Sequence, residues 1–192
     1  DGWLDLSIIG QSGAAVVYQQ LINNKGVFEV STPSSVAGLK YATMTFGDYN
    51  NNGTLDMFTT GQDVNGNPHS YLYQNDGKGN FTLQSSAIPD SVRTIAGCVS
   101  VGDYDGDGYP DLFIAGRVSK KYPQSPKSFL LHNNRGVFTD VTAKVCPALQ
   151  TPGMVTAAVW TDFDNDQQTD LVIAGEWMPL QFFKNTQGKL ID

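Results

Sequence analysis

Apolar and polar residues alternate along this chain in short runs of four to eight, and the runs come in a repeating order. Val99 and Val101 point one way with Ser100 between them, a half-buried strand pattern. A polar loop follows, and then the apolar run Leu112-Phe113-Ile114, closed by Gly116, leads out as a second strand. After a polar connection, Phe129-Leu130-Leu131 and Val137-Phe138 flank Asn133-Asn134-Arg135-Gly136, a hairpin around a turn. The same order of strand, loop, strand and hairpin recurs over residues 41–86, 95–142 and 154–192, each predicting four antiparallel strands. Residues 1–31 carry three strands, at 5–10, 15–21 and 27–31, and lack the first of the four. No run has the length and 3.6-residue period of a long helix.

The loop between the first two strands of each unit carries the chemistry. In the third unit it reads Asp103-Tyr104-Asp105-Gly106-Asp107-Gly108-Tyr109-Pro110-Asp111, with carboxylates at positions 1, 3, 5 and 9 and glycine at 6. Acids alternating through a tight turn aim their oxygens at one point, and four such charges repel unless a cation sits among them. An all-oxygen donor set suits Ca²⁺, which accepts six to eight oxygens in flexible geometry. The loop is not an EF-hand, because position 12 is Ile114 rather than glutamate and the flanks are strands.

The loop is repeated in phase. Counting position 7 with the acids, the candidate ligands are Asp103, Asp105, Asp107, Tyr109 and Asp111; Asp162, Asp164, Asp166, Gln168 and Asp170; and Asp48, Asn50, Asn52, Thr54 and Asp56. The chain opens on Asp1-Gly2-Trp3-Leu4-Asp5, which matches positions 5 to 9, so Asp1 and Asp5 are candidates for a fragmentary fourth loop. The three loop starts lie 55 and 59 residues apart, a spacing of strand-rich repeats that fits propeller blades. Carboxylate count and turn chemistry rank the loops for calcium as Asp103, then Asp162, then Asp48. The Asp48 loop has asparagine at positions 3 and 5, and the Asp162 loop has Gln167 where the turn glycine belongs.

Net charge is −7, and the three whole loops hold ten aspartates, so the acidity is concentrated at the proposed ion sites. Three bound Ca²⁺ would leave about −1. No basic stripe offers itself to nucleic acid, and no apolar run spans a bilayer. Cys98 and Cys146 lack metal-ligand spacing, and a disulfide and two free thiols both remain open. His132 stands where the other units have Gln74 and Lys184, and it reads as a solvated strand end. The three tryptophans read as packed in the core or rim, with Trp177, in Gly-Glu-Trp-Met-Pro, best placed for exposure. The basic insertion at 117–127 reads as a solvated loop, and no nucleophile–base motif is present.

The phrase Gly-Asp-Tyr-Asp-Gly-Asp-Gly-x-x-Asp-Leu-Phe-Ile-Ala-Gly, residues 102–116, resembles the FG-GAP/VCBS repeat, which integrin α-subunit propellers also carry. The Gly175–Pro179 phrase and the Asn-x-x-Gly-x-Phe-Thr-Asp-Val-Thr ending at 133–142 resemble VCBS repeats of bacterial secreted proteins of the UnbV/ASPIC-associated group. The resemblance implies an all-β, calcium-binding propeller of seven or eight blades, in which this chain is one partial domain of about four blades. It implies a binding or adhesion scaffold for a glycan or protein, outside the cytoplasm, at the cell surface or in the periplasm. The missing first strand suggests that a longer chain or a second copy supplies the rest. A catalytic propeller, such as a calcium-dependent polysaccharide lyase or glycosidase, is the alternative.

Overall fold

A computed structural model of the chain describes residues 3–12, 15–31, 36, 39–119 and 124–192. They form four antiparallel sheets in chain order. The first holds β1 (Leu6–Ser12), β2 (Ala15–Asn24) and β3 (Val27–Ser31). The second holds β4 (Lys40–Gly47), β5 (Asp56–Gln62), β6 (Pro68–Asn75) and β7 (Phe81–Leu83). The third holds β8 (Ile95–Gly102), β9 (Asp111–Val118), β10 (Phe129–Asn134) and β11 (Val137–Asp140). The fourth holds β12 (Met154–Thr161), β13 (Asp170–Glu176), β14 (Gln181–Asn185) and β15 (Leu190–Ile191). Each is an up-and-down meander, so the strand order follows the sequence, and the three-stranded first sheet begins at the strand equivalent to β5, β9 and β13.

The sheets pack face to face, with β1 against β4, β4 and β5 against β8, and β8 and β9 against β12. One apolar core lies in each gap. Tyr18, Met57, Tyr73 and Phe81 fill the first. Phe58, Leu72, Leu112, Ile114 and Leu131 are among those filling the second, and Phe113, Ala115, Leu130, Leu171 and Phe183 the third. This division explains the unbroken apolar run in β9. Leu112 and Ile114 face one neighbouring sheet and Phe113 and Ala115 the other, so the two-residue period buries every side chain. The architecture is all-β with propeller-like blades.

Close approach of the sheets depends on small residues. A Cβ built on Gly97 in β8 would fall 2.1 Å from the Val155 carbonyl of β12, so only glycine fits there. Sequence patterning did not separate one feature. Between the third and fourth sheets run a single helical turn, α1 (Thr142–Val145), and a 3₁₀ turn (Pro147–Gln150), which send Val145, Cys146 and Leu149 into the third core. Cys98 and Cys146 are free thiols, and burial raises both, Cys98 to about 11. Residues 120–123 of the basic insertion lie outside the described residues. Among the described residues no helix is long and apolar enough to cross a membrane.

Candidate metal centre

The loops join the first two strands of the second, third and fourth sheets and share one backbone path. Positions 4 and 6 are left-handed in all three: Asn51 and Gly53, Gly106 and Gly108, Asn165 and Gln167. Gln167, at φ 68°, holds the glycine conformation despite its side chain, so the departure in sequence leaves the turn unchanged. The position 1 aspartate organises the turn. Asp103 Oδ1 accepts from the N–H groups of Gly106 (2.8 Å) and Asp107 (3.2 Å), and its Oδ2 from Gly108 N–H (2.9 Å). Asp48 does the same with Asn52 and Gly53, and Asp162 with Asp166 and Gln167. Position 5 then accepts from position 7, as in Asp107 with the Tyr109 N–H at 2.8 Å, Asp166 with Gln168, and Asn52 with Thr54.

These bonds bring the carboxylates together. One oxygen from each of Asp103, Asp105 and Asp107 lies within 4.8 Å of the others, and so does one from each of Asp162, Asp164 and Asp170. The Asp48 loop, with Asn50 and Asn52, offers amide oxygens in place of two carboxylates. Asp1 lies outside the described residues.

The position 9 aspartate has a second task that spacing alone did not reveal. Asp111 is fully buried; its Oδ2 accepts from Tyr104 N–H (3.1 Å) and its Oδ1 from Asn133 N–H (2.7 Å). Asp170 repeats this with Phe163 and Asn185, Asp56 accepts from Asn75, and Asp5 from Asn23. Position 9 therefore latches the loop to the hairpin turn of its own sheet. Burial pushes the Asp111 carboxyl up to about 7; its backbone donors oppose the rise and the Asp105 and Asp103 charges add to it.

The turn asparagine completes the latch and was missed as a site residue, although it recurs at the same place in every hairpin. Asn133 Nδ2 donates to the Pro110 carbonyl and, across the gap between sheets, to the Tyr49 carbonyl in the preceding loop, both at 2.9 Å. Its Oδ1 accepts from Gly136 N–H (2.7 Å). Asn185 repeats the set with Thr169, Tyr104 and Gly188. The hairpin turns of the third and fourth sheets thus grip both their own loop and the loop before it.

His132 is not the solvated strand end that its sequence context suggested. Its Nδ1 is buried, lies 3.1 Å from Asp105 Oδ2 and 3.5 Å from Asp111 Oδ1, and has no aligned hydrogen-bond acceptor. In the fourth sheet the Lys184 ammonium takes the equivalent place, paired with Asp164 Oδ2 and 3.2 Å from Asp166 Oδ2. Asp164 first, and then Asp166, raise the Lys184 pKa. Trp160 packs as expected, stacked on Tyr104 with ring centroids 6.5 Å apart. Trp177, read as packed, is instead 83% exposed, and Trp3 is 49% exposed.

The donor chemistry fits a hard divalent cation best at the Asp103 loop. Its converging groups are carboxylates, and the His132 Nδ1 that faces Asp105 and Asp111 has no proton acceptor in good alignment. Stacked antiparallel sheets of three or four strands, with an oxygen-lined loop between the first two strands of each four-stranded sheet, define a repeat protein with propeller-like blades. The family model for the FG-GAP-like repeat matches residues 1–59 and 61–114, more than half of the chain. The chain belongs to the FG-GAP-like repeat family. No curated protein matches it.

Proposed function

We propose that this protein is a calcium-stabilised, propeller-like scaffold that works outside the cytoplasm and binds a glycan or protein ligand without catalysing a reaction on it. The observation that carries the calcium half is the convergence of Asp103, Asp105 and Asp107 oxygens within 4.8 Å in a loop repeated sheet after sheet. Asp103, Asp105, Asp107, Asp111 and the position 7 residue Tyr109 would hold the ion. The bound ion supplies charge neutralisation, and the chain's own contribution is to orient the carboxylates through the backbone N–H groups of the loop. Such repetition suits a structural ion better than a single reactive centre.

For the ligand, the support lies at the opposite end of the strands. There the starts of β4 and β8 and the ends of β5 and β9 line a cavity of about 600 Å³ that includes Thr43, Gln62 and Arg117. Arg117 pairs with Glu176 at 2.6 Å, and the exposed Trp177 follows in the chain. A guanidinium–carboxylate pair beside an exposed indole is chemistry suited to sugar hydroxyls and ring faces. The outer faces of the first and last sheets are apolar. Leu6 is 49% exposed where its equivalents Met57, Leu112 and Leu171 are fully buried, and Phe182 is 48% exposed where Leu72 and Leu130 are buried. We read both faces as blade contacts, covered by further blades from a longer chain or a second copy.

Melting curves in EDTA and in CaCl₂ test the calcium half, and a rise in Tm with calcium is expected. Glycan-array binding with and without calcium, by the wild type and Trp177→Ala, tests the ligand half. Loss of binding in the variant is expected, and hydrolysis or elimination of any arrayed glycan would overturn the non-catalytic reading.

A further inference from the structure

The residue before the turn asparagine in each four-stranded sheet reaches back to the loop of its own sheet. In the second sheet it is Gln74, which lines a small cavity with Asn50 and Asp56. In the third it is His132, against Asp105 and Asp111. In the fourth it is Lys184, against Asp164 and Asp166. The same strand position therefore places a neutral amide, an imidazole or a permanent cation beside three loops that share one backbone path.

In the fourth sheet the consequence is direct. Positions 3 and 5 of the Asp162 loop already share a positive charge that belongs to the protein. An ammonium offers three protons and no lone pair, so it cannot join a calcium coordination shell. For a divalent ion to take the Asp164 and Asp166 oxygens, Lys184 must leave them. Its side chain is about half exposed, so it can swing into solvent.

We propose that Lys184 is a tethered counter-cation of the Asp162 loop, holding Asp164 and Asp166 together without metal and competing with a divalent cation for them. The Asp103 loop depends on an added ion, whereas the Asp162 loop carries its own cation and binds calcium more weakly than its four carboxylates would dictate. The competition rests on the calcium reading above; the counter-cation role does not.

The test uses the full chain, with Lys184→Met studied by thermal melting in EDTA and by calorimetric CaCl₂ titration. In EDTA the variant is expected to melt several degrees lower than wild type, and calcium should restore most of the difference. The titration should show one site tightened by roughly tenfold, since calcium no longer has to displace an ammonium from Asp164 and Asp166. Adding Asp162→Asn to the variant should abolish that tightening. An EDTA melting temperature equal to wild type overturns the counter-cation. A lowered melting temperature with no tightened site overturns the competition. If wild type itself takes up no calcium, the calcium reading falls while the EDTA curves still decide the role of Lys184. Should Lys184→Met fail to fold, His132→Lys supplies the converse: transplanting the cation into the Asp103 loop should raise the EDTA melting temperature and weaken calcium binding about tenfold, and no change in either overturns the proposal.

Discussion

Replacing Asn133 by alanine separates the local latch from the link between sheets. The Asn133 side chain is fully buried and makes three hydrogen bonds, to the Pro110 and Tyr49 carbonyls and from Gly136 N–H. Alanine keeps the backbone N–H that binds Asp111 but leaves three partners unmet at a buried turn. At about 1 kcal/mol or somewhat more for each abandoned group, the loss is roughly 3–5 kcal/mol. Asn75 is the internal control. Its side chain makes the two local bonds, to Leu55 and from Gly77, in a half-buried turn, so Asn75→Ala should lose only about 1–2 kcal/mol. Urea unfolding of both variants at fixed calcium reads the difference as a change in midpoint at constant slope. In thermal melts of a chain this size the larger loss corresponds to a fall of about 10 °C. Equal losses for the two variants would show that the bond from Asn133 to Tyr49 contributes nothing, and would refute the view that hairpin turns clamp consecutive blades together.

Three further outcomes follow from the same geometry. Because burial holds the Asp111 carboxyl near 7 in the folded state, against about 3.9 unfolded, stability in EDTA should fall as pH rises from about 4 to 7, by at most about 4 kcal/mol; calcium and Asp111→Asn should each flatten this slope, and a rising slope would contradict the assignment. Gln167→Gly should stabilise the protein by about 0.5–1 kcal/mol, because it removes a side chain from a left-handed position, and a loss measured by denaturant unfolding would contradict the turn argument. Gly97→Ala should cost about 3 kcal/mol or more, because its Cβ would collide with the Val155 carbonyl; a neutral effect would mean that the third and fourth sheets are not in contact there.

Much of the fold was legible because apolar strands and turn residues recur in the same order in each unit. The apolar phrase Phe129-Leu130-Leu131 read as packing between neighbouring blades, and the structure divides it between two cores, Phe129 and Leu131 in one and Leu130 in the other. The loops were legible because alternating aspartates recurred in phase between strands. Side-chain traffic between strands far apart in sequence was not. The spacing of Asp111 fits a ligand, and nothing in that spacing reveals that its oxygens also accept the Tyr104 and Asn133 N–H groups. Asn133 itself repeats as Asn75 and Asn185, a signal visible in the sequence, but its partner Tyr49 lies 84 residues away. His132 and Lys184 read as surface residues at a strand end because the strand period gives a face without saying what lies over it. Trp177 read as packed because large aromatics usually are, whereas its left-handed backbone, at φ 54°, sits in the turn after β13 and leaves the indole outside the core.

The most direct test of the account is an anomalous difference map from crystals grown in CaCl₂. A peak is expected about 2.3–2.6 Å from oxygens of Asp103, Asp105 and Asp107, the range of Ca²⁺–oxygen bonds. A map without density at that point, at calcium concentrations well above the millimolar range, would contradict it.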